Sequence, residues 1–228
     1  MPPKRTKTSA KSKDNTTKTT KKAAKAQNTK VDHGSGDKLL ILESPNKVAA
    51  VKKYLGAGWR VVATVGHIIE LPSSKSALNT NTWEAKFDVI SGKAQILDNL
   101  KKEVKTAKEI YLATDPDREG EAIAWFVYEW TKSANPKAKF YRAAFNAISK
   151  EAIEKAIINK KNIDMDLVYS QRARMFLDRV VGYTISPLVQ KHVVKMQQHH
   201  AAGRVMSVAL RIIAERQKEI DAFKPEEF

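Results

Sequence analysis

Three carboxylates fall within five residues at Asp115-Pro116-Asp117-Arg118-Glu119, and a fourth, Glu43, stands at the end of a separate apolar run. Held together as anions, such side chains repel and raise one another's pKa values. Protonation relieves the repulsion and makes a general acid; so does a hard divalent cation. All-oxygen donors suit magnesium, which keeps several waters and takes one or two carboxylates from the protein. A plainer reading is that the acids only complement a helix dipole. Glu43 on a second strand end, with Lys47 one turn into the next helix, favours a site.

Both acidic groups close runs that are apolar throughout, Leu39-Leu40-Ile41-Leu42 and Ile110-Tyr111-Leu112-Ala113. Runs of this kind read as strands buried on both faces, hence as members of a parallel sheet. Their last residues then lie at the carboxyl edge, where open α/β folds keep their sites. Ser44 suits the cap of the helix after the first run and Pro45 its first position. Further strands are expected at 60–64, 86–90 and 139–145. Ile96, Leu97, Leu100, Val104 and Ala107 recur at helical spacing, so 93–108 reads as a packing helix with a lysine-rich outer face. In the helix 122–130, Trp125, Phe126 and Trp130 read as core. Ser149 caps a helix to Asn159. This alternation specifies an α/β fold with helices on both faces of the sheet.

The character changes after Asn162. Asp164 caps a long helix expected to stop at Gly182. Gln171, Arg174 and Asp178 share one face of it. A short helix is expected over 185–194, then a polar loop 197–203 with adjacent His199 and His200, poorly spaced for metal binding. Gly203 and Arg204 open a last helix, 205–223, whose free N–H groups suit a phosphate. We therefore divide the chain into a tail (1–37), an α/β domain (38–160) and a helical segment (161–228).

The chain of 228 residues has no cysteine, which excludes disulfides and thiolate metal sites. No apolar run reaches membrane-spanning length, and no secretory signal opens the chain. Residues 1–37 hold ten Lys or Arg against three Asp, leaving +9 of the net +16 on the rest. The tail is expected to be disordered, with His33-Gly34-Ser35-Gly36 as a hinge. Pro2-Pro3-Lys4-Arg5 reads as part of a polybasic arm or a nuclear address. The basic body points to a polyanionic partner, most simply nucleic acid.

Three motifs in order, E-S-P-x-K at 43–47, G-H-I-x-x-L-P at 66–72 and A-T-D-x-D-R-E-G-E-A-I-A-W at 113–125, resemble the Toprim domain of type IA DNA topoisomerases. The bacterial topoisomerase I branch is most similar. Downstream, Q-x-A-R-x-x-x-D-R-x-x-G-Y at 171–183 is similar to the next family signature, on a helix that lines a groove for single-stranded DNA. The segment from Ala201 is similar to S-A-G-R-V-Q-S-V-A-L, with Ala201 in place of Ser and Met206 in place of Gln, which removes polar groups expected to bond DNA. The resemblance spans about residues 38–228 and implies a parallel-rich Toprim sheet followed by part of a helical DNA-groove domain.

It also implies roles. Glu43 would be general acid and, in religation, base. Asp115 and Asp117 would hold Mg²⁺, with Glu43 and Glu119 as further ligands, and no ATP is needed. Lys47 and Arg118 would stabilise phosphate charge. His67, Arg142, Gln171, Arg174, Phe176, Asp178, Arg179, Lys191, Gly203 and Arg204 would face DNA, with Asp178 orienting an arginine or meeting a base or sugar. The family's nucleophilic tyrosine lies in a later domain. None of the six tyrosines here occupies its motif, and Tyr111, Tyr128 and Tyr183 read as strand or packing residues. The chain is therefore expected to be an N-terminal fragment, partnered by single-stranded DNA and by the protein downstream of Phe228. It would be intracellular and DNA-associated, in a cytoplasm, nucleoid or nucleus, and without a membrane. The whole enzyme would cleave, pass and reseal DNA to relax negative supercoils. A Toprim nuclease or primase, and a non-catalytic single-strand-binding module, remain the alternatives.

Overall fold

The computed structural model describes residues 36–192 and 201–225. The expected tail and nearly all its hinge, and the loop bearing His199 and His200, fall mostly or wholly outside these residues. Four strands form one parallel sheet in the order β2-β1-β5-β6: β1 Lys38–Leu42, β2 Trp59–Ala63, β5 Glu109–Ala113 and β6 Lys139–Arg142. The run at 86–90 contributes only β4, Asp88–Val89. It pairs antiparallel with β3, Ile69–Glu70, outside the main sheet. Six α-helices and three short 3-10 turns complete the described part, the α-helices being α1 Val48–Leu55, α2 Ala94–Thr106, α3 Arg118–Thr131, α4 Lys150–Ile158, α5 Met165–His192 and α6 Arg204–Ala222.

The period of two along a strand divides the central runs between two cores. Leu39, Ile41, Ile110 and Leu112 meet α2 and α3 through Leu97, Leu100, Val104, Ile123 and Phe126. Leu40, Leu42, Tyr111 and Ala113 meet Val51 of α1 and Ile153 of α4 on the other face. Leu39 to Leu42 are wholly buried. Each such side chain contributes about 1.5–3 kcal/mol on leaving water. Burial on both faces is why these runs carry no alternating polar residues. Phe126 is buried, and Trp125 and Trp130 pack partly buried against the same core.

Arg142, at the end of β6, does not face DNA as expected. Its side chain is only 4% exposed and pairs with Glu121 of α3 at 2.7 Å. Its other nitrogens donate to the backbone carbonyls of Leu112, Thr114 and Asp115 at 2.7–2.8 Å. Burying a guanidinium costs several kcal/mol, which only a complete set of acceptors offsets. Here they come from the end of β5 and the loop after it. The second oxygen of Glu121 accepts the N–H of Asp164, and Asp164 Oδ1 then caps α5 through the N–H groups of Asp166 and Leu167. The backbone of Arg142 also pairs with Lys161 in both directions, covering the open side of β6. Phe176 is likewise buried, in a small core with Leu71, Ala77 and Leu78, and offers no stacking face to a base.

The long helix does not stop at Gly182. α5 runs on to His192, with Pro187 inside it. Gly182 is not in the left-handed region that a glycine stop requires. A glycine inside a helix costs only about 1 kcal/mol. Side-chain anchors offset it: Arg179 donates to the carbonyls of Leu71 and Pro72, and the Tyr183 hydroxyl to that of Ser73.

Arg142→Met is expected to destabilise the protein by about 3–5 kcal/mol, because Glu121 stays buried without its partner. Chemical denaturation checks this, and a loss below about 1 kcal/mol contradicts the buried-pair account.

Candidate functional site

The carboxyl ends of β1, β2 and β5 bring the expected acidic and basic residues to one edge. Glu43 follows β1 directly. Its carbonyl accepts the N–H of Gly66, while Thr64 N–H donates to Leu42. These bonds close the turn after β2. Val65 and Gly66 both have left-handed φ there, 58° and 79°. The conformation is unfavourable for a β-branched residue. It is held partly by Lys93, whose Nζ donates to the Val65 carbonyl at 2.7 Å. This turn delivers His67 to the site.

The acidic loop is shaped by its neighbours as much as by its own sequence. Asp117 caps α3 by accepting the Gly120 N–H at 2.7 Å. The Thr114 hydroxyl donates to the Gly120 carbonyl at 2.5 Å. The helix approaches so closely that a Cβ on Gly120 would lie 2.1 Å from the Asp115 carbonyl oxygen. No side chain fits there, so the glycine in the acidic motif is a packing requirement. Asp115 pairs with Lys47 Nζ at 2.7 Å, as the sequence position of that lysine allowed. Arg118 is exposed at the start of α3.

Glu119 points from the acidic loop toward α5. Gln171 donates to it at 3.0 Å, Arg174 stands 3.6 Å away and His67 3.5 Å away. Two residues one turn apart on α5 and one from the turn after β2 thus converge on one carboxylate. They also line a groove of about 860 Å³ between α5 and the 67–75 segment. Asp178 and Arg179 line it as well. Arg204, at the start of α6, forms a two-pronged pair with Asp178 at 2.6 and 3.0 Å. That bond holds the Asp178 carboxyl below its ordinary range. Lys191 is exposed in the last turn of α5 and is not part of the groove wall. Gly203 is the extended residue before α6, with no side chain between the helix start and solvent.

Glu43 has its pKa raised, first by partial burial and next by the Asp115 charge, with Asp117 adding to it and His67 and Lys47 opposing. The anions outweigh the local cations. Among the described residues no group of three or more His, Asp or Glu stands ready to hold a metal. Even so, the donor set fits magnesium. Asp115 and Asp117 each engage one oxygen with a protein donor and keep the other open, and Glu43 is beside them. One or two carboxylates suffice for a cation that keeps its waters. The excess of negative charge at Glu43 is what such a cation would neutralise.

The sequence reading missed part of the groove. Tyr183, expected to pack, is 42% exposed and lines it, beneath the Arg179 guanidinium. Ser186 and Gln190 continue the same wall, and the Ser186 hydroxyl accepts the Ala202 N–H at 3.0 Å. The three- and four-residue spacing from Gln171 onward contains these positions, but a helix ended at Gly182 leaves them out.

The Toprim domain family matches residues 38–148, and the DNA topoisomerase family matches residues 162–228. The fold is similar to that of full-length topoisomerase I from Thermotoga maritima in a monoclinic crystal form. The TM-score is 0.70 and the identity 38%, over 82% of this chain and 31% of that one. The chain thus spans about a third of the length of the structure it matches. The two family matches, which together take in most of the chain, and the likeness to that enzyme at 38% identity assign the chain to the type IA DNA topoisomerases.

Proposed function

We propose that this chain supplies the acid- and metal-bearing half of a type IA DNA topoisomerase active site, together with part of the groove that receives single-stranded DNA. One observation carries the reading. The acidic edge of the sheet opens, through Glu119, directly into a groove lined by Arg174 and Lys75, and by Arg179, whose guanidinium is held by the Leu71 and Pro72 carbonyls. A strand lying in that groove would present its phosphates to the basic side chains and reach the carboxylates at one end. In the whole enzyme the reaction would be cleavage of one strand, passage and religation, relaxing negative supercoils without ATP.

The residues suggest a division of work. Glu43, with its carboxyl poised toward the protonated form, donates to the departing 3′ oxygen and accepts the proton back on resealing. Lys47 lies 2.7 Å from Asp115 and can turn to a phosphate oxygen bound between them. Arg118, exposed at the start of α3, meets the same phosphate. His67 and Arg174 contact the backbone of the strand, and Asp178 holds Arg204 in place for it. Gly203 lets a phosphate approach the amino end of α6. Asp115 and Asp117 would hold Mg²⁺, with Glu43 and Glu119 beside it. When bound, the cation would position the phosphate and the 3′ end. Ala201 lines the groove without a hydroxyl and Met206 is exposed on α6, so neither adds a polar bond to DNA. The nucleophilic tyrosine would come from outside this sequence. Tyr111 is buried within β5 and Tyr128 packs on Phe140 at 5.1 Å.

The direct test traps covalent protein–DNA complexes with denaturant. The chain is incubated with labelled single-stranded DNA and Mg²⁺, alone and with the tyrosine-bearing remainder of a type IA enzyme. An adduct only in the mixture is expected. An adduct from the chain alone would identify a nucleophile among its own side chains and overturn the division of labour. Metal-dependent cutting that leaves free ends would indicate a nuclease.

Asp115→Asn with Asp117→Asn is expected to weaken Mg²⁺ binding by at least the roughly 10-fold that loss of even an outer-shell partner costs. Salt-sensitive single-strand binding should be largely kept, because the basic residues lie on α5. Unchanged Mg²⁺ affinity in calorimetry would rule out these ligands. Glu43 provides a pH test. A carboxyl with a raised folded-state pKa favours folding while protonated in both states. That contribution is lost as pH rises from the ordinary carboxyl range through the folded value. Glu43→Gln should therefore melt higher than the parent at about pH 7 without Mg²⁺, with the difference vanishing near about pH 3. A difference that is constant with pH would contradict the electrostatic origin.

A further inference from the structure

The opposite edge of the same sheet has the reverse charge. At its amino end, Lys38, Glu109 and Lys139 stand side by side as the first residues of β1, β5 and β6. Neighbouring strands lie about 4.8 Å apart, so the two lysines are set roughly 10 Å from one another across Glu109. A shallow depression of about 670 Å³ opens there, and four lysines and two acids line it. Lys108 and Lys137 complete the set. Both acids are already engaged: Asp37 pairs with Lys108 at 2.6 Å, and Glu109 bonds the Tyr111 hydroxyl at 3.0 Å and faces Lys160 at 3.8 Å. Lys105, exposed in the last turn of α2, extends the basic surface onto that helix.

We propose that this amino edge is a second DNA-binding surface, and that it takes the phosphate backbone of duplex DNA. Its chemistry differs from that of the groove beside α5. Single strands are held by aromatic side chains on which bases stack. No aromatic residue lines this depression among the described residues, and Trp59, beside Lys38 at the start of β2, already faces the Lys38 ammonium at 5.3 Å. Its cations are lysines, point charges on flexible stems that neutralise phosphates without a demanding geometry. An open row of such charges fits a sequence-independent contact with a duplex, driven by release of counterions. The position has a consequence for topology. The acidic edge and this edge are separated by the full length of the strands, so a duplex held here lies clear of the strand in the groove. The inference stands independently of the groove, since none of its residues lines that wall.

The test compares the full chain with the variant Lys105→Gln, Lys137→Gln, Lys139→Gln. All three positions are exposed, so the fold should be unaffected. Fluorescence anisotropy is measured on a short duplex and a single strand of equal length and mixed sequence, across a range of NaCl. The duplex affinity of the variant is expected to fall about 10-fold or more at low salt. The slope of log K against log[salt] should flatten by up to about 2.7, at roughly 0.9 for each phosphate no longer neutralised. Single-strand affinity should change less than about twofold, and the corresponding triple arginine variant should restore duplex binding. Unchanged duplex binding, or an equal loss on both DNAs, overturns the proposal. So does loss of poly-glutamate binding with duplex binding intact, which would make the edge a surface for an acidic peptide.

Discussion

The site depends on one buried guanidinium. Arg142 ties together the end of β5, the acidic loop, α3 and, through Glu121, the first turn of α5. An arginine in a protein interior is tolerated only if its donors are met. That requirement makes the arrangement specific. Moving the acidic loop would leave carbonyls and a charge unpaired together. The carboxylates are thus held by a rigid base, although they are partly exposed and mutually repelling. Gly120 acts in the same direction, bringing α3 against the Asp115 backbone at a distance no side chain permits.

On that base the electrostatics are divided between the ends of the sheet. At the carboxyl edge the acids meet Lys47, His67 and, from one face of α5, Gln171 and Arg174. The balance is incomplete at Glu43, whose carboxyl is pushed upward by burial and by Asp115. A residual imbalance of this kind is what a proton-transferring acid beside a cation site needs. At the amino edge lysines outnumber acids. The sheet therefore separates two charge environments by the length of its strands, with the two hydrophobic cores between them.

Much of this was legible along the chain. The parallel sheet followed from runs such as Leu39–Leu42, because burial on both faces leaves no polar alternation to misread. The caps at Ser149 and Asp164 follow from residue type and position, so spacing found them, and it brought Lys47 to the acids without naming Asp115 as its partner. Errors arose where a local signal met a distant partner. Gly182 looked like a helix stop, but anchors from Arg179 and Tyr183 to the 71–73 segment carry the helix past it. Arg142 looked like a phosphate ligand because the sequence does not display Glu121 beneath it.

By itself the sequence determined the α/β alternation, the position of the acids at a strand end, and the family motifs, since these rest on periodicity and on neighbours within a few residues. Only the tertiary structure decided which side chains serve binding and which serve the fold. Arg142 and Phe176 are consumed by packing, whereas Tyr183 and Ser186 reach the groove. The physical reason is that availability to a ligand depends on burial and on acceptors far away in sequence, and neither leaves a local pattern.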